Sequence, residues 1–282
     1  MNLKKKIAIQ GIRGSFHHQV ANQYFGEAIE LKECLSFVEI PELINNNNVD
    51  GAVMAIENSL AGSILPNYAL IDEFNLKIQG EVHLPIHHHL MSLDGQSLSD
   101  IKEVWSHPMA LLQCRKFFRK HAQIKLVEES DTAEVAQRIQ EQKLKGIAAI
   151  ASKKAADIYK LNNIENEIQT RKQNLTRFFI LKKKNGKLEK PEMANKASLK
   201  FITKHQTGNL TDVLNVFAGL GMNLSKIQSL PIIDKPWNYA FFADVIFEDY
   251  QLFQKAISIV KDKTSSLKIL GEYQQSKRKY DI

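Results

Sequence analysis

The sequence predicts an α/β protein that carries a smaller second domain of the ferredoxin-like βαββαβ arrangement. Three observations lead to this prediction. Short apolar runs alternate with helical patterns over about the first 180 residues, which indicates a parallel α/β sheet and leaves enough chain for two lobes. The charged stretch KKKNGKLEKPEMANK then breaks the pattern and predicts a linker. Beyond it, about 75 residues follow the order βαββαβ.

In the first region each apolar run is followed by a helical pattern. The predicted strand and helix pairs are, in order, KIAIQ and HHQVANQYF, DGAVMAIE and PNYALIDEF, EVWS and PMALLQCRKFFRKH, IKLVEE and DTAEVAQRIQEQ, and GIAAIA and KKAADIYKL. Leu111, Cys114 and Phe118 are expected to share one face of the third helix. The region closes on NLTRFFIL, whose unbroken apolar run predicts a buried strand.

In the second region four apolar runs and two helical patterns make up the predicted domain. ASLKFIT, MNLSKIQSLPI, WNYAFFADVIF and LKILGEY predict strands, and GNLTDVLNVFAGLG and DYQLFQKAISIVKD predict helices. Gly219 and Gly221 fit the end of the first of these helices, because glycine readily adopts the left-handed conformation that often closes a helix.

Composition and length indicate an ordinary globular protein. The chain has 282 residues, of which 44% are hydrophobic and 24% charged, and no run approaches the roughly 18 apolar residues that span a membrane. The apolar stretch near the N-terminus is too short for the core of a signal peptide, so a cytoplasmic protein is expected. Cys34 and Cys114 are too few for a disulfide framework and are expected to be reduced.

The net charge of +7 favours an anionic partner, either nucleic acid or a small carboxylate or phosphate. The lysines are dispersed, and no zinc-finger spacing or aromatic RNA-binding signature is present, so nucleic acid is disfavoured. The run His87–His89 suggests a metal, since His87 and His89 would share one face of a strand. No acidic or cysteine partner lies nearby in the sequence, and no metal is expected.

The loops that follow the predicted strands hold the candidate chemistry, because ligands of open α/β sheets collect beyond the carboxyl ends of the strands. These loops, GIRGSFH, ENSLAGSI, SHP and SDTA, contain glycines, hydroxyls and amides. They lack a nucleophile elbow, a phosphate-binding loop and the glycine spacing of a dinucleotide site. The same residues also have structural interpretations, because Gly11 and Gly14 fit a tight turn and Ser106 or His107 can cap the helix that Pro108 begins.

The strand NLTRFFIL poses the same choice between structure and function. Thr176 and Arg177 stand at its start, before the apolar run. They either cap and solubilise the end of the strand or contact a small polar ligand.

Taken together, GIRGSF, AIENSLAGSI, SHPMALLQC, DTAEVA, AAIASKKAADIYKL and NLTRFFIL resemble, in this order, the motifs of prephenate dehydratases. The stretches GNLTDVLNVFAGLGMNLSKIQSLPI and WNYAFFADV resemble the ACT regulatory domain of that family. The resemblance implies a two-lobed catalytic domain like a type II periplasmic binding protein, with the active site between the lobes. It also implies conversion of prephenate to phenylpyruvate, water and carbon dioxide without a cofactor.

The resemblance divides the chain into four segments. The expected segments are a catalytic domain at 1–183, with lobes at about 1–80 plus 160–183 and at 81–159, a linker at 184–195, an ACT domain at 196–275 and a tail at 276–282.

The resemblance assigns the chemistry mainly to uncharged polar groups. Thr176 matches the catalytic threonine and is expected to hydrogen-bond to the leaving oxygen. Arg177 is expected either to bind a carboxylate of the dianionic substrate or to pair with Glu57, whose role as a proton donor stays open. The expected catalytic residues are Thr176, Glu57, Asn58 and Gln113. The expected substrate-binding residues are Arg177, Ser59, Gly62, Ser106, His107, Thr132, Asn174 and Phe178.

The ACT-like region is expected to bind L-phenylalanine as an effector and to assemble as a homo-oligomer, either a dimer or a tetramer. Here the chain departs from the family, because Asn209 replaces the alanine of the GAL pattern, and Gln228 and Leu230 replace the charged residues of ESRP. The expected effector-binding residues are Gly208, Asn209, Leu210, Gln228, Ser229, Leu230 and Pro231.

Two other functions remain open at the level of sequence. One is an arogenate dehydratase, whose substrate carries an amino acid side chain instead of the keto acid. The other is a non-catalytic amino-acid sensor, which the presence of Thr176 disfavours.

Overall fold

A computed structural model describes residues 4–184, 193–204, 206–232 and 235–276, without the side chains of 235–237. The chain divides into two compact units, Met1–Ser63 with His83–Phe178 and Ile64–Val82 with Phe179–Ile282. Most of the expected linker and tail lies outside the described residues.

The described strands and α-helices follow one another along the chain with short connections. The strands are β1 (Lys5–Gln10), β2 (Ile29–Cys34), β3 (Gly51–Asn58), β4 (Gly62–Ser63), β5 (Leu76–Pro85), β6 (His89–Ser92), β7 (Glu103–Ser106), β8 (Lys125–Glu128), β9 (Ile147–Ala151), β10 (Asn162–Glu165), β11 (Leu175–Lys183), β12 (Lys196–Thr203), β13 (Asn223–Ile232), β14 (Lys235–Ile246) and β15 (Thr264–Tyr273). The helices are α1 (Phe16–Phe25), α2 (Glu39–Asn45), α3 (Leu65–Glu73), α4 (Pro108–Gln113), α5 (Arg115–Phe118), α6 (Thr132–Gln142), α7 (Lys153–Tyr159), α8 (Asn209–Gly219) and α9 (Tyr250–Lys263).

The first sheet has the strand order β2-β1-β3-β11-β5, with β4 paired to β3. Strands β1, β2 and β3 are parallel, so their carboxyl ends share one edge of the sheet. Residues 51–56 of β3 are buried throughout, which explains why this strand is a continuous apolar run. Strands β5 and β11 each continue along the chain from one unit into the other.

The second sheet has the order β10-β6-β9-β7-β8 and is mixed. Strand β7 is parallel to β8 and β9, whereas β6 is antiparallel to β9 and β10. The mixed α/β character agrees with the prediction, but β6 and β10 depart from an all-parallel sheet. Strand β2 and helix α2 were also missed, because IELKEC is half exposed and largely polar and therefore lacks an apolar run.

The predicted single helix after Ser106 is wrong, since α4 ends at Gln113 and α5 begins at Arg115. The backbone of Cys114 leaves the helical region, with φ −97° and ψ 7°. The break releases the Gln113 carbonyl, which accepts the backbone N–H of Thr170 at 2.8 Å. Leu111, Cys114 and Phe118 nevertheless all lie in one buried cluster, as their spacing predicts.

The second unit contains β12, α8, β13, β14, α9 and β15, which is the βαββαβ order expected from the sequence. The four strands form an antiparallel sheet of order β13-β14-β12-β15. Its core is built from residues of the sheet and of both helices, including Phe201, Phe217 and Phe253, all of which are fully buried. Helix α8 ends at Gly219, and Gly221 just beyond it has a φ of +73°.

Strand β5 meets this sheet within the second unit through a buried ion pair. The Nζ atom of Lys196 lies 3.0 and 2.9 Å from the two carboxylate oxygens of Glu81, and both side chains are almost fully buried. Close backbone packing accompanies the pair, because a Cβ atom at Gly271 would lie 2.0 Å from the carbonyl oxygen of Ile78. Among the described residues, no helix combines the length and hydropathy required to cross a bilayer.

Candidate active site

The turn after β3 fixes the orientation of the Asn58 side chain. Its Oδ1 atom accepts the backbone N–H groups of Leu60 at 3.0 Å and Ala61 at 2.9 Å. An N–H group can only donate, so the oxygen of the carboxamide must face the turn. The nitrogen Nδ2 therefore points the other way, towards the start of β11.

Asn58 Nδ2 donates to the hydroxyl oxygen of Thr176 at 2.9 Å and to Asn174 Oδ1 at 2.7 Å. The Thr176 oxygen thus receives a hydrogen bond, and its own hydrogen remains available for another acceptor. Within the described part of the chain, the Thr176 hydroxyl donates no hydrogen bond of its own. The Thr176 hydroxyl is therefore arranged to donate to a ligand.

The hydrogen bonds continue from Asn174 to two side chains that lie near the second sheet. Asn174 Nδ2 donates to Gln113 Oε1 at 2.9 Å, and the same oxygen lies 2.8 Å from His88 Nε2. Burial lowers the pKa of His88 to about 4, with a smaller opposing effect of its bond to Gln113, so the imidazole is neutral at pH 7. Asn58, Thr176, Asn174, Gln113 and His88 form one chain of side-chain hydrogen bonds.

Arg177 and Glu57 lie beside this chain but on the opposite faces of their strands, because successive strand residues alternate. Arg177 Nη1 is 3.9 Å from Glu57 Oε2, the arginine side chain is only 6% exposed, and the glutamate is 34% exposed. The structure therefore brings together the charged residues of two motifs, AIENSLAGSI and NLTRFFIL. It does not place Arg177 on the same face as the Thr176 hydroxyl.

Ser59 and Gly62 shape the turn that holds Asn58. The Ser59 hydroxyl oxygen accepts the N–H of Leu175 at 3.0 Å, and the Ser59 N–H donates to the carbonyl of the same residue at 2.8 Å. Gly62 has a φ of +86° and pairs with Asn58 across the short β4 ladder. Both residues thus have a structural role at the site.

The predicted residues near the second sheet lie at the end of β7 and at the starts of α4 and α6. Ser106 is fully buried and donates its hydroxyl to the Ile150 carbonyl at 2.7 Å. His107 caps α4, its Nδ1 atom accepting the N–H of Met109 at 3.2 Å, while Thr132 is the first residue of α6. None of the three hydrogen-bonds to Thr176 or Asn58 in the described structure. Their contacts with substrate stay a prediction.

Phe178 is 1% exposed and packs edge-on against His17, with ring centroids 5.0 Å apart. His17 is buried as well, its Nε2 atom accepts the N–H of Ala55 at 3.3 Å, and burial lowers its pKa to about 3. The Phe178 ring is thus part of the core behind the site.

Asp131 is a residue that the sequence reasoning missed. Its Oδ1 atom caps α6 by accepting the N–H groups of Ala133 at 2.7 Å and Glu134 at 2.9 Å. Its Oδ2 atom comes so close to the end of β1 that a Cβ atom at Gly11 would lie 2.7 Å from it. Burial raises the pKa of this carboxyl, an effect that the two backbone donors partly oppose. The signal was available, because an aspartate before a periodic helix is a capping signature.

The histidine run does not form the expected pair on one strand. Strand β5 ends at Pro85 and β6 begins at His89, so His87 and His88 lie between strands. His87 Nδ1 is 3.4 Å from Glu167 Oε1, a carboxylate distant in sequence. Among the described residues, no group of three or more histidine, cysteine or acidic side chains has the arrangement of a metal site.

The predicted effector residues lie in the second unit. Gly208 precedes α8 with a φ of +86°, and Asn209 Nδ2 donates to the Lys204 carbonyl at 2.7 Å. Residues 228–231 lie on β13, an edge strand of the sheet, and alternate between half-buried and exposed. Helix α8 contacts β13, but no hydrogen bond joins the two predicted segments among the described residues.

Residues 7–186 match the sequence model of the family described as prephenate dehydratase. The chain belongs to the prephenate dehydratase family. A bifunctional chorismate mutase/prephenate dehydratase of Aquifex aeolicus (strain VF5) is 34% identical over 272 residues, which cover 96% of this chain and 74% of that protein. The chloroplastic arogenate dehydratase/prephenate dehydratase 2 of Arabidopsis thaliana is 35% identical, covering 95% and 72%. The family predicted from the motifs is thereby confirmed.

Solved structures support the mixed α/β fold of this prephenate dehydratase family member. A prephenate dehydratase of Arthrobacter aurescens in complex with L-Phe matches with a TM-score of 0.85 and 26% identity, covering 95% of this chain and 89% of that one. A structure described as GqqA, a novel type of quorum-quenching acylase, matches with a TM-score of 0.87 and 27% identity, covering 96% and 98%.

Proposed function

We propose that this protein is a prephenate dehydratase, which converts prephenate to phenylpyruvate, water and carbon dioxide without a cofactor. The observation that carries the proposal is the Thr176 hydroxyl, which accepts a hydrogen bond from Asn58 at 2.9 Å and keeps its hydrogen for a ligand. Family membership supplies the substrate class. The site would lie between two lobes, each built on one of the two α/β sheets.

The reaction needs little chemistry from the protein. The carbon–carbon bond to the ring carboxylate breaks as carbon dioxide leaves, and its electron pair enters the ring. The ring carbon–oxygen bond then breaks with its pair on oxygen, and one proton converts the departing hydroxide to water. Because the ring becomes aromatic, the protein has only to orient the substrate, desolvate the carboxylate and stabilise the leaving oxygen.

Thr176 stabilises the leaving oxygen as a hydrogen-bond donor. An alcohol hydroxyl is a poor acid at neutral pH, so it acts by donating a hydrogen bond to developing charge and does not supply the proton outright. Asn58 holds the hydroxyl oxygen, which restricts the direction of its hydrogen. The backbone N–H groups of Leu60 and Ala61 hold Asn58 in turn, so the donor is oriented before the substrate arrives.

Of the two roles open to Arg177, its position favours pairing with Glu57. The 3.9 Å separation and the burial of the guanidinium place a positive charge next to the carboxylate of Glu57. The pair offsets a negative charge that would otherwise repel a dianionic substrate. Arg177 then acts on the substrate through the shape and the electrostatics of the site.

The similarity to an acylase does not support amide hydrolysis here. An acylase must activate a hydroxyl or a water molecule with a base. The Thr176 oxygen instead contacts the donating amide of Asn58, and no basic side chain hydrogen-bonds to it among the described residues. Dehydration, which uses the hydroxyl as a donor, fits this arrangement.

The test is to incubate the purified protein separately with prephenate, arogenate and an N-acylated amine, and to follow the products by absorbance and chromatography. Turnover of prephenate to phenylpyruvate is expected, and Thr176→Ala is expected to lower its kcat by about 10²–10³. Preference for arogenate would make the protein an arogenate dehydratase. Turnover of none of the three would leave a non-catalytic amino-acid sensor, and release of the acyl group alone would reject the proposal.

We further propose that residues 196–275 form an ACT domain that binds L-phenylalanine and lowers activity. The L-Phe complex of the Arthrobacter aurescens relative supports this ligand. Gly208 leaves room beside the start of α8, where N–H groups can receive a carboxylate, and Leu230 on β13 adds apolar surface for a benzyl ring. Inhibition requires tighter binding to a less active state, so calorimetry is to be run beside the activity assay. Neither heat nor inhibition at millimolar L-phenylalanine would reject the effector site.

A homo-oligomer, either a dimer or a tetramer, is expected because β13 is an exposed edge strand of a four-stranded sheet. Sedimentation at micromolar protein should give a mass well above the 32.1 kDa of one chain. A measured mass equal to that of one chain would contradict this expectation. The cytoplasm remains the expected compartment.

A further inference from the structure

We propose that His88 is a positioning residue that keeps the Thr176 hydroxyl a donor through Gln113, Asn174 and Asn58. This inference rests on the proposed dehydratase function and adds to it a residue that contacts neither the threonine nor the turn. His88 is 25 residues from Gln113 in sequence, and it belongs to a histidine run that suggests metal binding. Its position in the hydrogen-bond chain gives it a different role.

The direction of every bond in the chain follows from the two backbone N–H groups that hold Asn58. They accept nothing, so Asn58 presents its oxygen to them and its nitrogen to Asn174 and Thr176. Asn174 must therefore accept with its oxygen, and its own nitrogen points towards Gln113. A carboxamide has one accepting and one donating end, so each orientation sets the next.

At Gln113 the same logic defines the state of the imidazole. The Oε1 atom of Gln113 accepts from Asn174 at 2.9 Å, so the ring nitrogen 2.8 Å from that oxygen must carry a hydrogen. His88 is thus the neutral tautomer with hydrogen on Nε2. Its N–H also binds the Gln113 oxygen within this hydrogen-bond chain, and among the described residues no acceptor binds the amide hydrogens of Gln113.

The surroundings of His88 hold it in this position. Its backbone N–H donates to Gln169 Oε1 at 3.0 Å, and its carbonyl accepts the N–H of Ile168 at 2.8 Å. The ring packs edge-on against Phe16, with centroids 5.8 Å apart and planes at 80°. The Nδ1 atom is buried without a hydrogen-bond partner among the described residues. A buried polar atom without a partner is rare and indicates that the ring position serves another need, which here is the Nε2–H donor.

Loss of this donor would be transmitted to Thr176. Without a donor from His88, the carboxamide of Gln113 can rotate and point its nitrogen towards Asn174. The nitrogen of Asn174 then faces another nitrogen, unless the Asn174 carboxamide rotates as well. A turned Asn174 would place its nitrogen against Asn58 Nδ2, where two donors repel. Asn58 would then move away from Thr176, because its oxygen is held by the turn.

The experiment compares His88→Gln with His88→Glu, two side chains of nearly equal size and reach. His88→Gln can present an N–H to Gln113, whereas the ionised carboxylate of His88→Glu can only accept, so kcat is followed from pH 7 to pH 9 because burial raises the pKa of a carboxyl. We expect His88→Gln to keep kcat within about threefold of the unmodified protein, and His88→Glu to lose about tenfold or more, with smaller changes in KM. Melting temperatures are measured for both, and His88→Leu serves as a second variant without a donor.

A double-mutant cycle separates positioning from general damage. In a Thr176→Ala background, His88→Glu should cause little further loss of kcat, because the donor that His88 positions is already gone. An equal loss in both backgrounds would overturn the proposal. So would equal activities of His88→Gln and His88→Glu when both are folded.

A measurement that does not depend on turnover distinguishes failure of this inference from failure of the proposed function. The ¹⁵N chemical shifts of the imidazole should show neutral His88 with hydrogen on Nε2 at pH 7. Hydrogen on Nδ1 alone, or a charged ring, would overturn the assignment. An inactive protein with the expected tautomer would reject the dehydratase function and retain the hydrogen-bond arrangement.

Discussion

Asn58 donates a hydrogen bond to the Thr176 hydroxyl across 2.9 Å, although the two residues are 118 positions apart in the sequence. The bond joins the end of β3 to the start of β11. It occupies one acceptor site of the threonine oxygen and leaves the hydroxyl hydrogen available to donate to a ligand.

Thr176→Ala should therefore lower kcat for prephenate by about 10²–10³, the typical loss when one donor to developing charge is removed. The fold should survive, because the hydroxyl lies near the start of β11, where its loss costs little stability. Thr176→Ser keeps the donor and is the matched control. Steady-state kinetics and melting temperatures are needed for both variants, and an unchanged kcat in Thr176→Ala would reject the assignment.

Arg177→Lys keeps the charge but removes the planar fork of the guanidinium, so it should weaken the 3.9 Å pair with Glu57. Because the arginine is buried, we expect a lower melting temperature together with a raised KM. Glu57→Gln, which keeps the shape, tests the other partner. A raised KM with an unchanged melting temperature would indicate that Arg177 binds a substrate carboxylate directly.

The sequence predicts the members of the site better than their arrangement. Thr176, Asn58, Gln113 and Asn174 come from three separate motifs, and the structure joins them in one hydrogen-bond chain. The direction of the bonds could not be foreseen, because it depends on a turn and on contacts between distant segments. His88 was missed for the same reason, since a run of histidines has no periodicity that shows which ring is buried.

The prediction of secondary structure is limited for the same reason, because contacts between distant segments determine part of it. Apolar runs such as residues 51–56 predict strands correctly because burial on both faces leaves a continuous signal. The edge strand Ile29–Cys34 is half exposed and polar, so it leaves no such signal. The break at Cys114 was missed because the residues around it keep helical spacing, and the gain from releasing the Gln113 carbonyl to Thr170 is a tertiary contact.

Stability should fall in mild acid because His17 is buried neutral. Burial lowers its pKa from 6.5 to about 3, so the unfolded chain binds a proton that the folded protein excludes. The contribution of neutral His17 to the free energy of unfolding is fully present above pH 6.5. It is lost as the pH falls towards 3, at up to about 1.4 kcal/mol per pH unit. Urea unfolding at pH 7 and pH 5 should show a smaller loss in His17→Gln than in the unmodified protein. Equal losses would contradict this.

Removing one member of the buried pair of Lys196 and Glu81 should destabilise the protein more than replacing both members with apolar residues. Lys196→Met removes the Lys196 cation from a carboxylate that is 0% exposed, and about 3–5 kcal/mol of unfolding free energy should be lost. The double variant Lys196→Met with Glu81→Leu should recover most of that loss, since it removes both charges. Denaturant unfolding of the three proteins measures this, and a double variant no more stable than the single one would contradict it.

Gly271 of β15 should tolerate no side chain. A Cβ atom there would lie 2.0 Å from the carbonyl oxygen and 2.8 Å from the carbonyl carbon of Ile78, and backbone atoms cannot move aside as a flexible side chain can. Gly271→Ala should therefore cost about 3 kcal/mol or more, at the upper end of overpacking. Gly219→Ala is the control, because that glycine lies at the end of α8 with nothing within 4 Å of its Cβ position. It should gain about 0.5–1 kcal/mol from a less flexible unfolded chain. Equal stabilities of the two variants in denaturant unfolding would show that β15 does not approach Ile78 so closely.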